Sequence, residues 1–325
     1  MKYFSNPSFL AANANTTAQA EAIVTAVIGE QSGAVLQLSQ TVMRSGGGIS
    51  LVRLIHSLKD ANPSASITLH LDHGLDYDVC VEAMDLGFDS VMMDGSYKPD
   101  GVTPRSYAEN VDVTSRVVEA AHARGVAVEG ALGLVGSLIS CLGHMEDDYT
   151  PVGPFPQDAF LTDVDLAKDF VSKTGVDALA IAIGTTHGPA KFEAEPSFED
   201  LDLDRISQLR AALPGTLLVM HGSSSVSADL QDEINAFGGS IKKGWGMPVA
   251  VIQEAIRRGV GKVNVDTDLR LAMTAGMRRY MAEHPEETNP RLIEDAGKDA
   301  VTRLCRQKIR DFNEAFAKGP LTDPK

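Results

Sequence analysis

Eight short runs of apolar and β-branched residues, each followed by a longer stretch of helical periodicity, constrain this chain more than any other feature. The runs are FLAAN (9–13), AVLQLS (34–39), SITLHL (66–71), DSVMMD (89–94), VAVEG (126–130), DALAIAIG (177–184), TLLVMH (216–221) and KVNVD (262–266). Short strands that alternate with helical segments build βα units and a parallel sheet. Segments such as TAQAEAIVTAVI, SYAENVDVTSRVVEAAHAR and ADLQDEINAF repeat apolar residues at helical spacing between the runs. Eight units in 325 residues predict an α/β fold of the (β/α)8 TIM-barrel type, for which about 250 residues is typical. The remainder supplies a C-terminal helical extension over about 290–317. A doubly wound open sheet is the alternative.

No fixed-period repeat, low-complexity segment or linker divides the sequence, so a single barrel domain over 1–325 is expected. The least regular stretch runs from Leu132 to Phe160 and is rich in glycine and proline. It is too long for an ordinary connection, and loops of that kind are commonly functional, so it is expected to be a mobile active-site loop over about 132–160.

Charge narrows the function. A formal net charge of -15 lacks the basic footprint that DNA, RNA or anionic membranes require, while leaving open a small anion held by backbone N–H groups and a few local cations. Cys80, Cys141 and Cys305 form no C-x-x-C pair and no even framework, which points to a reducing compartment. In MKYFSNPSFLAANA the apolar character is broken by Ser5, Asn6, Pro7 and Ser8, so this stretch reads as mature protein rather than a secretion signal. No apolar run approaches the roughly 20 residues of a spanning helix. The expected location is cytoplasmic.

Three histidines fall at three strand ends. His73 follows the third run, His187 lies in GTTHG after the sixth, and His221 closes the seventh. The C-terminal ends of barrel strands share the face that carries active sites, so these side chains are expected to converge. Three imidazoles with an open fourth position suit a catalytic zinc or similar divalent ion. Each is followed by glycine, which lets the backbone turn sharply past the ligand. His70 lies on the other parity of the strand from His73 and is expected to point elsewhere. HGSSSV (221–226) and NVDTD (264–268) follow the last two strands and precede helices, the usual place of a phosphate cradle in a barrel.

Taken together, LHLDHG, SVMMDGS, VEGALG, DALAIAIGTTHGPAKF, HGSSSV and GVGKVNVDTDLRLAM resemble the class II, metal-dependent fructose-1,6-bisphosphate aldolases, in family order over most of the chain. The resemblance implies a lyase that reversibly splits fructose 1,6-bisphosphate into dihydroxyacetone phosphate and glyceraldehyde 3-phosphate through a metal-stabilised enediolate. It implies zinc or another divalent metal on His73, His187 and His221, with a monovalent cation near the phosphate site as a further candidate. Asp72 matches the family aspartate that exchanges a proton with the C4 hydroxyl. Gly222, Ser224, Asn264, Asp266 and Thr267 correspond to phosphate and substrate contacts, with Gly188 and Lys191 near the dihydroxyacetone phosphate end. Asn13 and Ser39 match positions lining the same pocket, and Arg270 is a candidate cation for the second phosphate. The family forms homodimers and homotetramers.

Two departures stand out. The family pattern E-x-E-[LI]-G reads VEGALG here, with Glu129 kept and Ala131 at the second acid. Asp94 matches the other acidic member of that alternative metal position. In the loop, the place of the family glutamate that moves a proton on dihydroxyacetone phosphate reads GSLIS, with Ile139 and no acid; Glu146 in HMEDDY is the candidate replacement. Rival readings are an aldolase of tagatose 1,6-bisphosphate or another ketose phosphate, a catalytically weakened sugar-phosphate binder, and a metal-dependent epimerase or isomerase.

Overall fold

The computed structural model describes residues 10–100, 103–133, 161–184, 196–198 and 201–319. Eight parallel strands, β1 (Leu10–Asn13), β2 (Gly33–Ser39), β3 (Ser66–Gly74), β4 (Ser90–Met93), β5 (Ala127–Leu132), β6 (Ala178–Ile181), β7 (Leu217–Met220) and β8 (Val260–Val265), close into a barrel. Each strand pairs with its neighbours in sequence, and β8 pairs with β1. The helices around it are α1 (Thr17–Gly29), α2 (Gln40–Arg44), α3 (Gly48–Ala61), α4 (Tyr77–Asp85), α5 (Tyr107–His122), α6 (Val164–Thr174), α7 (Leu203–Ala212), α8 (Ala228–Ala236), α9 (Val249–Arg257), α10 (Thr267–Glu283) and α11 (Pro290–Ala317). This is the expected (β/α)8 architecture rather than an open doubly wound sheet. All eight apolar runs form strands. Among the described residues no helix is long and apolar enough to cross a membrane.

Strand side chains alternate between the two faces. Outward, Leu36, Leu69, Val91, Val128, Leu179, Leu218 and Val263 pack with the helices into one buried cluster, each such side chain contributing about 1.5–3 kcal/mol on burial. Inward, the register sets Asn13 beside Gln37, Gln37 beside His70 and His70 beside Ser90. The β5–β7 side of the lumen is apolar and small, with Met92, Ala131, Ala178, Ala180, Ala182 and Val219 in contact. Small side chains fit there because Glu129, Lys262 and His70, all fully buried, fill the rest of the interior. The barrel is therefore packed, with a polar half and an apolar half.

β3 departs from the expected boundary. It runs to Gly74 instead of ending at Leu71, so LHLDHG lies inside the strand. The β3–β4 register shifts between Leu71 and Gly74, and His73 takes φ 50, a left-handed backbone uncommon outside glycine. An irregularity of this kind re-aims a side chain. The sharp turn is made by the histidine itself, and Gly74 serves another need: a Cβ there would lie 2.7 Å from the Met92 carbonyl oxygen and 2.9 Å from Cys80 Sγ.

The C-terminal extension is helix α11. Asn289 caps it by accepting the Arg291 N–H, and proline occupies its first turn, where a missing N–H costs nothing. Val301, Cys305, Ile309 and Phe312 are buried as it packs against α1, α9 and α10.

Candidate active site

Asp72 and His73 on β3 meet His221 at the end of β7, and one ligand atom from each lies within 4.8 Å of the others. Their sequence separation is bridged by the barrel, which brings the C-terminal ends of β3 and β7 to one mouth. His187, the third expected histidine, lies outside the described residues, as do Gly188, Lys191 and Glu146.

Carboxylates orient both imidazoles. Asp94 Oδ2 accepts from His73 Nδ1 at 2.9 Å, and Glu129 Oε1 accepts from His221 Nε2 at 2.9 Å. With those protons placed, His73 Nε2 and His221 Nδ1 face each other across 3.1 Å. Two lone pairs at that distance repel unless a proton or a cation lies between them. Nitrogens that share one tetrahedral ion at about 2.0–2.1 Å stand about 3.4 Å apart, so the pair fits a divalent metal. A carboxylate behind each ligating histidine is also the usual support of such an ion. Asp94 thus touches the ring nitrogen of His73 that faces away from His221.

The field of the site follows from its charges. Burial works against a charge on His73, but Asp72 and Asp94 overcome it and push its pKa up to about 9. Burial likewise opposes the charge of Asp72, and His73, His221, Lys262 and a hydrogen bond from Asn13 outweigh it, holding the carboxyl below its usual range. Burial pushes His221 down. A site that keeps Asp72 ionised and holds a proton on His73 between two imidazole nitrogens is one where a divalent cation can take that proton's place.

Asp72 is held on two sides. Asn13 Nδ2 donates to Oδ2 at 2.8 Å and Asn264 Nδ2 to Oδ1 at 3.2 Å, and Gln37 fixes Asn13 through a 2.7 Å bond to its Oδ1. Among the described residues the buried Oδ1 of Asn264 has no hydrogen-bond partner, an acceptor suited to a substrate hydroxyl. Ser39, in register with Asp72, caps α2 by accepting the Val42 N–H.

Toward β8 lie the residues expected to contact phosphate. Gly222 has φ 66, Ser224 Oγ accepts the Asp266 N–H at 3.2 Å, and Thr267 opens α10. Asp266 accepts from Asn15 Nδ2 at 3.0 Å and pairs with Arg270 at 3.1 Å. Arg270 is therefore tethered to the rim by a carboxylate four residues earlier.

A charged network beneath the histidines went unread in the sequence. Lys262 Nζ donates to Glu129 Oε2 at 2.7 Å and lies 3.3 Å from His70 Nε2, while His70 Nδ1 meets Ser90 Oγ at 2.7 Å. His70 is not part of the Asp72–His73–His221 cluster, but its side chain enters the lumen on the same face as Asp72. Burial, then Lys262, push its pKa down to about 3, so it is neutral. The readable signal was Lys262 two residues before Asn264, on the inward parity of an otherwise apolar strand. Ala131 is buried among the lumen's small apolar side chains, so no carboxylate stands at that strand position.

A sequence profile of the family described as fructose-bisphosphate aldolase class-II matches residues 5–316. A fructose-bisphosphate aldolase of Xanthobacter flavus is 45% identical over 303 residues, 93% of this chain and 86% of that protein. One from Pseudomonas aeruginosa is 44% identical with the same coverage. Among solved structures, the YdjI aldolase of Escherichia coli K12 superposes with a TM-score of 0.67 at 22% identity, covering 95% of this chain and 93% of that one. A fructose-bisphosphate aldolase of Campylobacter jejuni gives 0.65 at 20% identity, covering 94% and 90%. These structural likenesses concern the fold, while the sequence matches reach further: the chain belongs to the class II fructose-bisphosphate aldolase family.

Proposed function

We propose that this protein is a zinc-dependent aldolase that reversibly cleaves fructose 1,6-bisphosphate to dihydroxyacetone phosphate and glyceraldehyde 3-phosphate. The observation that carries the reading is the pair of imidazole nitrogens, His73 Nε2 and His221 Nδ1, set 3.1 Å apart beside an ionised Asp72. His73, His221 and His187 would hold the metal, with Asp94 orienting His73. A divalent ion there supplies Lewis-acid stabilisation of the charge that develops beside the substrate ketone.

Asp72 takes the proton of the C4 hydroxyl in cleavage and returns it in condensation. Its pKa, held low by neighbouring positive charge, keeps it ready to accept, and Asn13 and Asn264 fix the direction of its oxygens. Gly222, Ser224 and Thr267 would bind one phosphate, with Gly188 and Lys191 near it, and Asn264 and Asp266 would orient substrate hydroxyls. Arg270 is the candidate for the second phosphate, and Glu146 for the acid–base group on the dihydroxyacetone phosphate side. A homodimer or homotetramer in the cytoplasm completes the reading. The buried free thiols of Cys80 and Cys305 support a reducing location.

The deciding experiment measures triose phosphate release from fructose 1,6-bisphosphate with the protein as isolated, after chelation, and after zinc is restored. Loss and recovery are expected. Turnover that survives complete metal removal would overturn the reading. Running tagatose 1,6-bisphosphate, which differs at one carbon, in the same assay separates the two substrates.

A further inference from the structure

The turn from Gly222 to Val226 is gripped from behind by two residues outside the site described above. Asp268, buried in the first turn of α10, accepts the N–H and hydroxyl of Ser225 through Oδ2, each at 2.8 Å, and the N–H of Val226 through Oδ1 at 2.6 Å. Lys308, from α11 and only 3% exposed, sets Nζ 2.6 Å from Asp268 Oδ2 and donates to Ser225 Oγ at 3.2 Å.

The grip holds a conformation that the turn would not keep by itself. Val226 has φ 48, a left-handed backbone that β-branched residues rarely adopt. Its N–H is taken by Asp268 and its carbonyl accepts from Gln231 Nε2 at 2.7 Å. On the other side the Ser224 carbonyl accepts the Met247 N–H at 2.9 Å, and Gly246 comes so near that a Cβ would lie 2.4 Å from the Ser224 oxygen.

Charge gives Lys308 a second task. A buried carboxylate directly behind a phosphate cradle would repel the dianion the cradle is meant to hold, in a chain already at net charge -15. Pairing with Lys308 makes the support neutral while its oxygens go on holding the turn.

We propose that Lys308 of the C-terminal helix is a positioning residue for the substrate phosphate, acting through Asp268 to set the Gly222–Val226 turn and to cancel the carboxylate's charge behind it. This rests on the reading that the turn binds a phosphate of the substrate. It gives the C-terminal helix a part in substrate affinity.

The test is steady-state kinetics on the full-length, zinc-loaded protein, with inorganic phosphate as competing anion and the thermal midpoint as a check of fold. Lys308→Met is expected to raise both KM for fructose 1,6-bisphosphate and Ki for phosphate about tenfold, the factor equivalent to about 1.4 kcal/mol, with kcat little changed. Lys308→Arg is expected to restore both. Asp268→Asn, which keeps only one of the two oxygens that hold the Ser225 and Val226 donors, is expected to raise both as well, again with kcat little changed. If Lys308→Met does not fold, Asp268→Asn decides, and an unchanged KM and Ki there overturn the inference. So does a folded Lys308→Met with unchanged KM and Ki while Ser224→Ala raises KM, an outcome that leaves the phosphate reading standing. Should phosphate fail to compete in the unaltered protein and Ser224→Ala leave KM unchanged, the phosphate reading falls and the inference with it.

Discussion

Nε2 of His73 and Nδ1 of His221, 148 residues apart in the chain, face each other across 3.1 Å with their other ring nitrogens anchored on Asp94 and Glu129. The carboxylates decide which nitrogen carries each proton, and so which lone pair is offered to a cation. Asp94→Asn keeps the size of the side chain but weakens that control, so metal affinity is expected to fall by about 10–100-fold. Competition with a chelating dye measures it directly. Unchanged affinity would mean that Asp94 is a bystander.

Asp72 is expected to act on protons. Its replacement by asparagine preserves shape and leaves His73 and His221 in place, so metal content measured by elemental analysis should be retained while kcat drops about 10²–10⁴-fold. Metal lost in proportion to activity would instead make Asp72 part of the metal's hold.

Lys262 and Glu129 form a fully buried ion pair at 2.7 Å inside the barrel. Removing one partner strands the other charge, so Lys262→Met is expected to cost about 3–5 kcal/mol in urea unfolding. The double variant Glu129→Met with Lys262→Met should recover most of that stability without recovering activity, since His221 has lost its anchor. Full activity in the double variant would show that Glu129 does not orient His221.

Acid should loosen the α10–α11 clamp. Burial opposes the charge of Asp268, but Lys308 and the Ser225 amide and hydroxyl outweigh it and hold its pKa below the ordinary 3.8. A carboxyl depressed in the folded state stabilises the fold above its unfolded pKa, and that contribution disappears as pH falls through the lower folded value. In metal-free protein the unfolding free energy is therefore expected to decline below about pH 4, and less steeply in Asp268→Asn. Equal slopes for the two proteins between pH 5 and pH 2 would contradict the assignment.

What the sequence determined by itself was the alternation of short apolar runs with helical segments, the placement of His73 and His221 near strand ends, and the hydroxyl-rich turn after β7. These are local signals, carried by spacing and residue type, and the barrel and its active face follow from them. The tertiary structure decided what depends on register between strands and contact between distant elements. The irregularity at Leu71–Gly74 turns His73 toward His221, against the parity a regular strand would impose. Lys262 meets Glu129 only because β8 and β5 look inward across one lumen, and Lys308 reaches Asp268 only because α11 packs beside α10. No spacing rule encodes such pairs, because a buried charge finds its partner through the closed geometry of the barrel rather than through neighbours in the chain.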